Sequence, residues 1–135
     1  MTPEQRELVR YRLERARTAL RDARSLFELG SLSTCVNRLY YACFYSVTAL
    51  LAIRNLVSTK HTGVRSLLHQ HFVRPGLVSI SSSDLYGALF RYRQQFDYVD
   101  FSDATQEQVE EWLPAAECFV AEIVAIIDRE KASSE

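Results

Sequence analysis

Apolar positions recur at helical spacing along almost the whole chain, and the residues between them include helix starts and stops. Leu8, Tyr11 or Arg12, Arg15, Ala19, Ala23, Leu26 and Phe27 form a first stripe at intervals close to a helical turn. Thr2 followed by Pro3 supplies its start, and Gly30 its stop. Ser31 and Ser33 open a second helix running to about Arg54. From Cys35 to Ile53 that helix is apolar or aromatic nearly all round, the pattern of a central, buried element. After the polar stretch 55–60, HTGVRSLLHQHFV predicts a short third helix, ended by Arg74, Pro75 and Gly76. The cluster Ser81 to Asp84 starts a fourth helix through Leu85, Leu89, Tyr92 and Phe96. Thr105 and Gln108 form a capping box for a fifth, in which Pro114 predicts a kink or a restart. No segment alternates with the period of a strand. The expectation is one all-α domain over residues 1–135, an up-and-down bundle of four long helices plus one short helix, with residues 131–135 fraying.

Composition narrows the class. With 135 residues, 47% of them apolar, the chain can bury a core without staples. The N-terminal MTPEQRELVRYRLERAR is charged where a signal peptide is apolar, and no apolar run approaches the roughly 20 residues of a membrane span. A cytoplasmic protein with no membrane partner is expected. Cys35, Cys43 and Cys118 are odd in number and contain no CxxC pair, so neither a disulfide framework nor a zinc knuckle is encoded. Cys43 and Cys118 read as core. His69 and His71 stand two apart on a helix and point to different faces, so no metal and no cofactor is expected.

The net charge of −1 conceals a division. Residues 1–74 hold twelve Lys or Arg against five acids, and residues 75–135 hold four against twelve. Between Leu29 and Ser83 there is no acid, while Arg38, Arg54, Lys60, Arg65, Arg74 and all three histidines fall there. Two readings fit equally: an anionic partner such as nucleic acid, or two oppositely charged faces attracting each other within one bundle. The arginines of the first helix alternate with Glu4, Glu7, Glu14 and Asp22, which favours a solvated face of ion pairs over a nucleic-acid groove there.

The chemistry-bearing residues lie in the second and fourth helices. Asn37, Tyr41 and Tyr45 follow one another at four-residue intervals with Arg38 beside Asn37, a polar strip on an apolar helix. A buried arginine needs a counter-charge, so Arg38 either pairs with an acid from another helix or lines a cleft for an anion. In the fourth helix RQQFDY places Arg93 and Asp97 one turn apart, followed by Tyr98. A structural Arg–Asp pair is preferred to catalysis on these residues alone.

NRLYYACFYSVTALL at 37–51, KHTGVRSLLHQHFVRPG at 60–76 and RQQFDYVDF at 93–101 resemble, in order and spacing, the stand-alone HEPN-domain family. The closing TQEQVEEWL and AAECFVAEIV resemble the family's last helix. The resemblance implies a homodimer with a polar cleft at the subunit interface. It further implies RNA or nucleotide binding, in many members metal-independent ribonuclease activity, and often a neighbouring MNT-type nucleotidyltransferase as antitoxin. Active members carry R-x(4-6)-H, with the histidine in proton transfer and the arginine on phosphate. Here Arg93 is followed by Asp97 and no histidine, whereas Arg54 with His61 and Arg65 with His71 meet the spacing elsewhere. The residues assigned by resemblance are Arg93, Asp97, Tyr98 and His61 for catalysis, and Asn37, Arg38, Tyr41 and Lys60 for RNA or nucleotide binding. Three readings stay open: an RNA- or nucleotide-binding toxin component, a metal-independent endoribonuclease that recruits His61, and a non-catalytic helical dimer that docks a nucleotidyltransferase.

Overall fold

The computed structural model describes residues 1–98 and 104–134, excluding the side chains of residues 96–98 and 134. Helix α1 spans Pro3–Glu28, α2 Leu32–Ile53, α3 His61–Leu68, α4 Ile80–Tyr98 and α5 Gln106–Ser134, and a π-helical turn over His69–Val73 follows α3. The all-α class and the four long helices with one short helix agree with the sequence pattern.

Local chemistry sets the boundaries. Thr2 accepts the Gln5 amide, and the Gln5 side chain accepts the Thr2 amide, closing a capping box with Pro3 in the first turn. At the other end of α1, Gly30 takes φ +77°, and the amides of Gly30 and Ser31 donate to the Phe27 and Leu26 carbonyls at 3.0 and 2.9 Å. This is the Schellman closure that favours glycine. Asn55, at φ 58°, ends α2 with the same pair of bonds, to Ala52 and Leu51.

Helix α2 is the axis of the bundle. It lies along α1 and also packs against α5, α4 and α3. By length and composition it could cross a bilayer, at a mean hydropathy of 1.2, but 67% of that stretch is buried within the bundle. Its side chains Val36, Leu39, Tyr40, Val47 and Leu50 are fully buried. Ser33 ties the neighbours together, since its hydroxyl accepts from Tyr92 at 3.1 Å and from the Ala104 amide at 3.2 Å.

Several local expectations are revised. On α1 the choice between Tyr11 and Arg12 falls to Arg12. Tyr11 is exposed, while Arg12 donates to the Thr48 carbonyl of α2 at 3.0 Å, with burial lowering its pKa. Residues 69–73 of the expected third helix form a π turn, closed by the Arg74 amide on the His69 carbonyl at 2.9 Å, and this wider turn carries Phe72 into the core. Helix α5 runs unbroken past Pro114 with no restart, and Pro114 is exposed, so the carbonyl it leaves unpaired faces solvent. The same helix is described as far as Ser134. Cys118 is exposed rather than core, because the buried stripe of α5 runs Val109, Leu113, Ala116, Val120, Ile123, Ile127 and passes it by.

Helix α5 also anchors the start of α4. Glu122 accepts from the Ser79 amide at 2.8 Å, from the Ser79 hydroxyl at 3.1 Å and from the Ser82 hydroxyl. Burial pushes the Glu122 carboxyl up, but the bonds from Ser82 and Ser79 outweigh it and hold its pKa below the usual value of 4.5. A carboxylate whose pKa is lowered by folding stabilises the fold above its unfolded pKa and loses that contribution as pH falls through the folded value. Glu122→Gln should therefore cost about 1 to 2 kcal/mol at neutral pH, with the gap from wild type closing below pH 4.5. Urea denaturation at neutral and acid pH reads this directly; a gap that persists in acid would contradict the carboxylate's role.

Candidate functional site

The site begins with the edge of α2. Asn37, Arg38, Tyr41, Phe44 and Tyr45 are half-buried there, while Tyr40 beneath them is fully buried. Their spacing sets Arg38 over the Tyr41 ring, 5.0 Å from its centroid, and the Arg38 Nη2 donates to Asn37 Oδ1 at 3.0 Å. Among the described residues Arg38 meets no carboxylate.

Helix α4 brings Arg93 to the same rings. Its Nε donates to Tyr41 Oη at 3.2 Å, and its guanidinium lies 5.6 Å from the Tyr40 centroid and 5.8 Å from that of Tyr41. The expected partner of Arg93 was Asp97. Asp97 and Tyr98 lie outside the residues whose side chains are described, and Tyr41 is a partner the sequence did not indicate.

Helix α3 contributes His61 from its first residue, with Lys60 as an exposed cap. The approach is fixed by the preceding loop, in which Ser58 Oγ accepts the Lys60 amide at 3.2 Å. A Cβ on Gly63 would stand 2.0 Å from that oxygen, so only glycine lets the loop fold back on the helix. His61 then stacks on Phe44 with ring centroids 4.3 Å apart, meets Tyr41 edge-on at 6.0 Å, and places Nδ1 2.6 Å from Tyr40 Oη. Thus Asn37, Arg38, Tyr41, Arg93 and His61, drawn from three helices, share one aromatic and cationic cluster.

The electrostatics follow from burial. Desolvation pushes the Tyr40 hydroxyl well above the ordinary phenol range, and the Arg93 charge offsets only part of this. Tyr40 is therefore neutral at physiological pH. If the Tyr40 hydroxyl donates to Nδ1, a neutral His61 carries its proton on Nε2; if Nδ1 donates, Nε2 is the free base. Tyr86 of α4 stacks parallel to Tyr40 at 6.0 Å; among the described residues its buried hydroxyl has no partner in hydrogen-bond geometry, although it stands near enough to the Tyr40 hydroxyl for the two to interact, and burial raises its pKa too. Cys43 in the same core is raised by desolvation, and Cys35 is pushed up to about 11, so neither thiol is a nucleophile at neutral pH.

The cluster continues towards α1. Arg15 donates to Tyr45 Oη at 2.7 Å and lies 4.7 Å over its ring. The remaining spacing matches take other roles: Arg54 pairs with Glu130 and covers Phe72 at 4.2 Å, while Arg65 covers Phe90 at 5.0 Å. Ion pairs Arg54–Glu130 and Arg24–Glu117 join the basic and acidic parts of the chain, as expected for attracting faces. Among the described residues no three His, Cys, Asp or Glu side chains gather as a metal site. Sequence reasoning missed Tyr40 and Phe44 as the seat of His61. The signal is an aromatic pair one turn apart, Tyr40 and Phe44, on a helix whose all-round apolar pattern reads as core.

Guanidinium groups held on aromatic faces around one imidazole can take up a phosphate, stack a base and move a proton. The comparisons agree with the class this fold defines. Residues 9–127 match the HEPN domain family, and the chain belongs to it. It is 35% identical over 125 residues to a UPF0332 protein of Thermotoga maritima, covering 93% of this chain and 95% of the relative. It is also 34% identical over 122 residues to a Methanocaldococcus jannaschii protein named as a candidate toxin, covering 87% of each. A second candidate toxin of that organism is 27% identical over 108 residues, covering 80% of this chain and 74% of the relative.

Proposed function

We propose that this protein binds RNA, or a nucleotide, through the cluster of Asn37, Arg38, Tyr41, Arg93 and His61, and serves as the toxin component of a module with an MNT-type nucleotidyltransferase. The single observation carrying this reading is the convergence of Arg38 and Arg93 on the faces of Tyr41 and Tyr40 beside a stacked His61. Such a surface offers charge to phosphate and a stacking platform to a base. The names of the Methanocaldococcus relatives support the toxin role. Two copies would pair through the aromatic edge of α2, which extends on α1 to the exposed Leu8 and Tyr11.

The test is fluorescence anisotropy of a short labelled oligouridylate, with chelator present, over a series of salt concentrations. Arg38→Ala with Arg93→Ala should weaken binding roughly tenfold and lower the salt slope by about 0.7 per lost phosphate contact. Wild-type protein that binds no RNA at low salt would overturn the reading.

A second reading, metal-independent endoribonuclease, is favoured by one observation. Tyr40 joins the ring under Arg93 to Nδ1 of His61, so α3 supplies to this cluster the histidine that is missing after Arg93. In that reading His61 exchanges the proton of the RNA 2′-hydroxyl and Arg93 holds the phosphate. Chelator-resistant cleavage lost in His61→Ala, with the fold intact, would distinguish it from binding alone.

A further inference from the structure

A second group of cations lies along α3 beyond His61. One helical turn on, about 6 Å along the axis, Arg65 crosses to α4 and rests on the buried ring of Phe90, 5.0 Å from its centroid. There it meets Arg91. A methyl on Gly87 would stand 2.7 Å from Arg65 Nη2 and 3.3 Å from Arg91 Nη1, so these two nitrogens are at most about 6 Å apart. Like charges this close repel each other. Among the described residues neither guanidinium has a hydrogen bond or an ion pair, and neither does that of Arg74 nearby.

Gly87 is buried and leaves the space in which the Arg65 guanidinium lies; any larger residue would displace it. The open cleft beside it measures about 540 Å³, within the range of ligand sites, and Arg65, His69 and Arg74 line it. Thr62, Ser66 and Gln70 add neutral donors on the same wall. No acid occurs between Leu29 and Ser83, so that wall presents only positive or neutral groups.

We infer that Arg65, which lines this cleft, and Arg91 beside it form a phosphate subsite, and that a single RNA strand seated at His61 and Arg93 runs along α3 so that a neighbouring phosphodiester neutralises the pair. The inference rests on the RNA-binding reading above and adds to it the path of the strand. Arginine forks match phosphate oxygens geometrically, and Phe90 beneath Arg65 fixes one of the forks before the ligand arrives. An unneutralised pair of neighbouring cations favours an anion that can face both members at once, and a bridging phosphodiester does this. A strand also spans one helical turn within about one nucleotide, which links the two groups without a gap.

Arg65→Gln with Arg91→Gln, and separately Gly87→Ala, decide it in the same anisotropy assay with chelator, after thermal melts confirm folded protein. The double variant should bind the oligouridylate roughly tenfold more weakly and lose about 1.4 from the salt slope, at about 0.7 for each contact. Gly87→Ala keeps every charge but pushes the Arg65 guanidinium aside, so it should also weaken binding. Wild-type affinity and slope in the double variant, while Arg38→Ala with Arg93→Ala still impairs binding, would overturn the inference alone and leave this cleft to an acidic protein segment. A loss in the double variant with Gly87→Ala binding like wild type would overturn the built site in favour of general attraction. Failure of wild-type protein to bind removes both readings together.

Discussion

Tyr40→Ala should lower the stability of the fold by about 3 to 5 kcal/mol, the range for deleting a large buried aromatic side chain. Tyr40 is fully buried in α2 and packs its ring against those of Tyr41, Phe44, His61, Tyr86 and Phe90. Removing it opens a cavity where three helices meet, and rigid neighbours on α2 and α4 cannot close over it. Tyr40→Phe separates packing from polarity. It keeps the ring and removes only the hydroxyl bonded to His61, so about 1 kcal/mol is expected, together with a changed tautomer signature for His61 in nitrogen NMR. Tyr86→Phe provides the opposite control. Among the described residues its buried hydroxyl has no partner in hydrogen-bond geometry, so removing it should leave stability equal or higher. Urea denaturation of the three variants checks the ordering, and a Tyr40→Ala loss below about 1 kcal/mol would contradict the packing account.

These contrasts also show which features were legible in the sequence. Helices and their ends depend on residues within a few positions of one another, so Thr2, Pro3 and Gly30 marked α1 correctly, and the all-round apolar pattern marked α2 as the axis. Within one helix, spacing also places Asn37, Arg38 and Tyr41 on one edge. Contacts between helices depend on how the helices cross, which spacing does not reveal. Sequence paired Arg93 with Asp97 on its own helix, which lies outside the described side chains, and gave no sign that its Nε also reaches Tyr41 on another. His61 was assigned by resemblance, yet its seat on Phe44 and Tyr40 comes only from the packing of α3 on α2. The Arg65–Arg91 pair was hidden for the same reason: Gly87 reads as an unremarkable helical glycine until α3 is laid across it. The π turn escaped because its residues have ordinary helical composition, and only the inward demand of Phe72 widens the turn.

That inward demand leads to the second large effect, at the joint between α3 and α4. Phe72 is fully exposed to the core and closed to solvent, and its carbonyl accepts the Leu77 and Val78 amides at 2.8 and 2.9 Å. The Arg54 guanidinium lies 4.2 Å from its ring centroid and is held there by Glu130. One side chain thus fixes the turn, the end of α2 and the C-terminal part of α5 relative to one another. Phe72→Ala should cost about 3 to 5 kcal/mol, because the cavity adjoins backbone that the two amide bonds keep from collapsing. Phe72→Leu should cost less, since it refills most of the volume but forfeits the cation–π contact. A double-mutant cycle with Arg54→Met isolates that contact, for which a coupling of about 1 kcal/mol is expected at a half-exposed site. If Phe72→Ala melts like wild type, the π turn is not a structural joint, and the position of Arg65 on α4 must then be set by α3 alone.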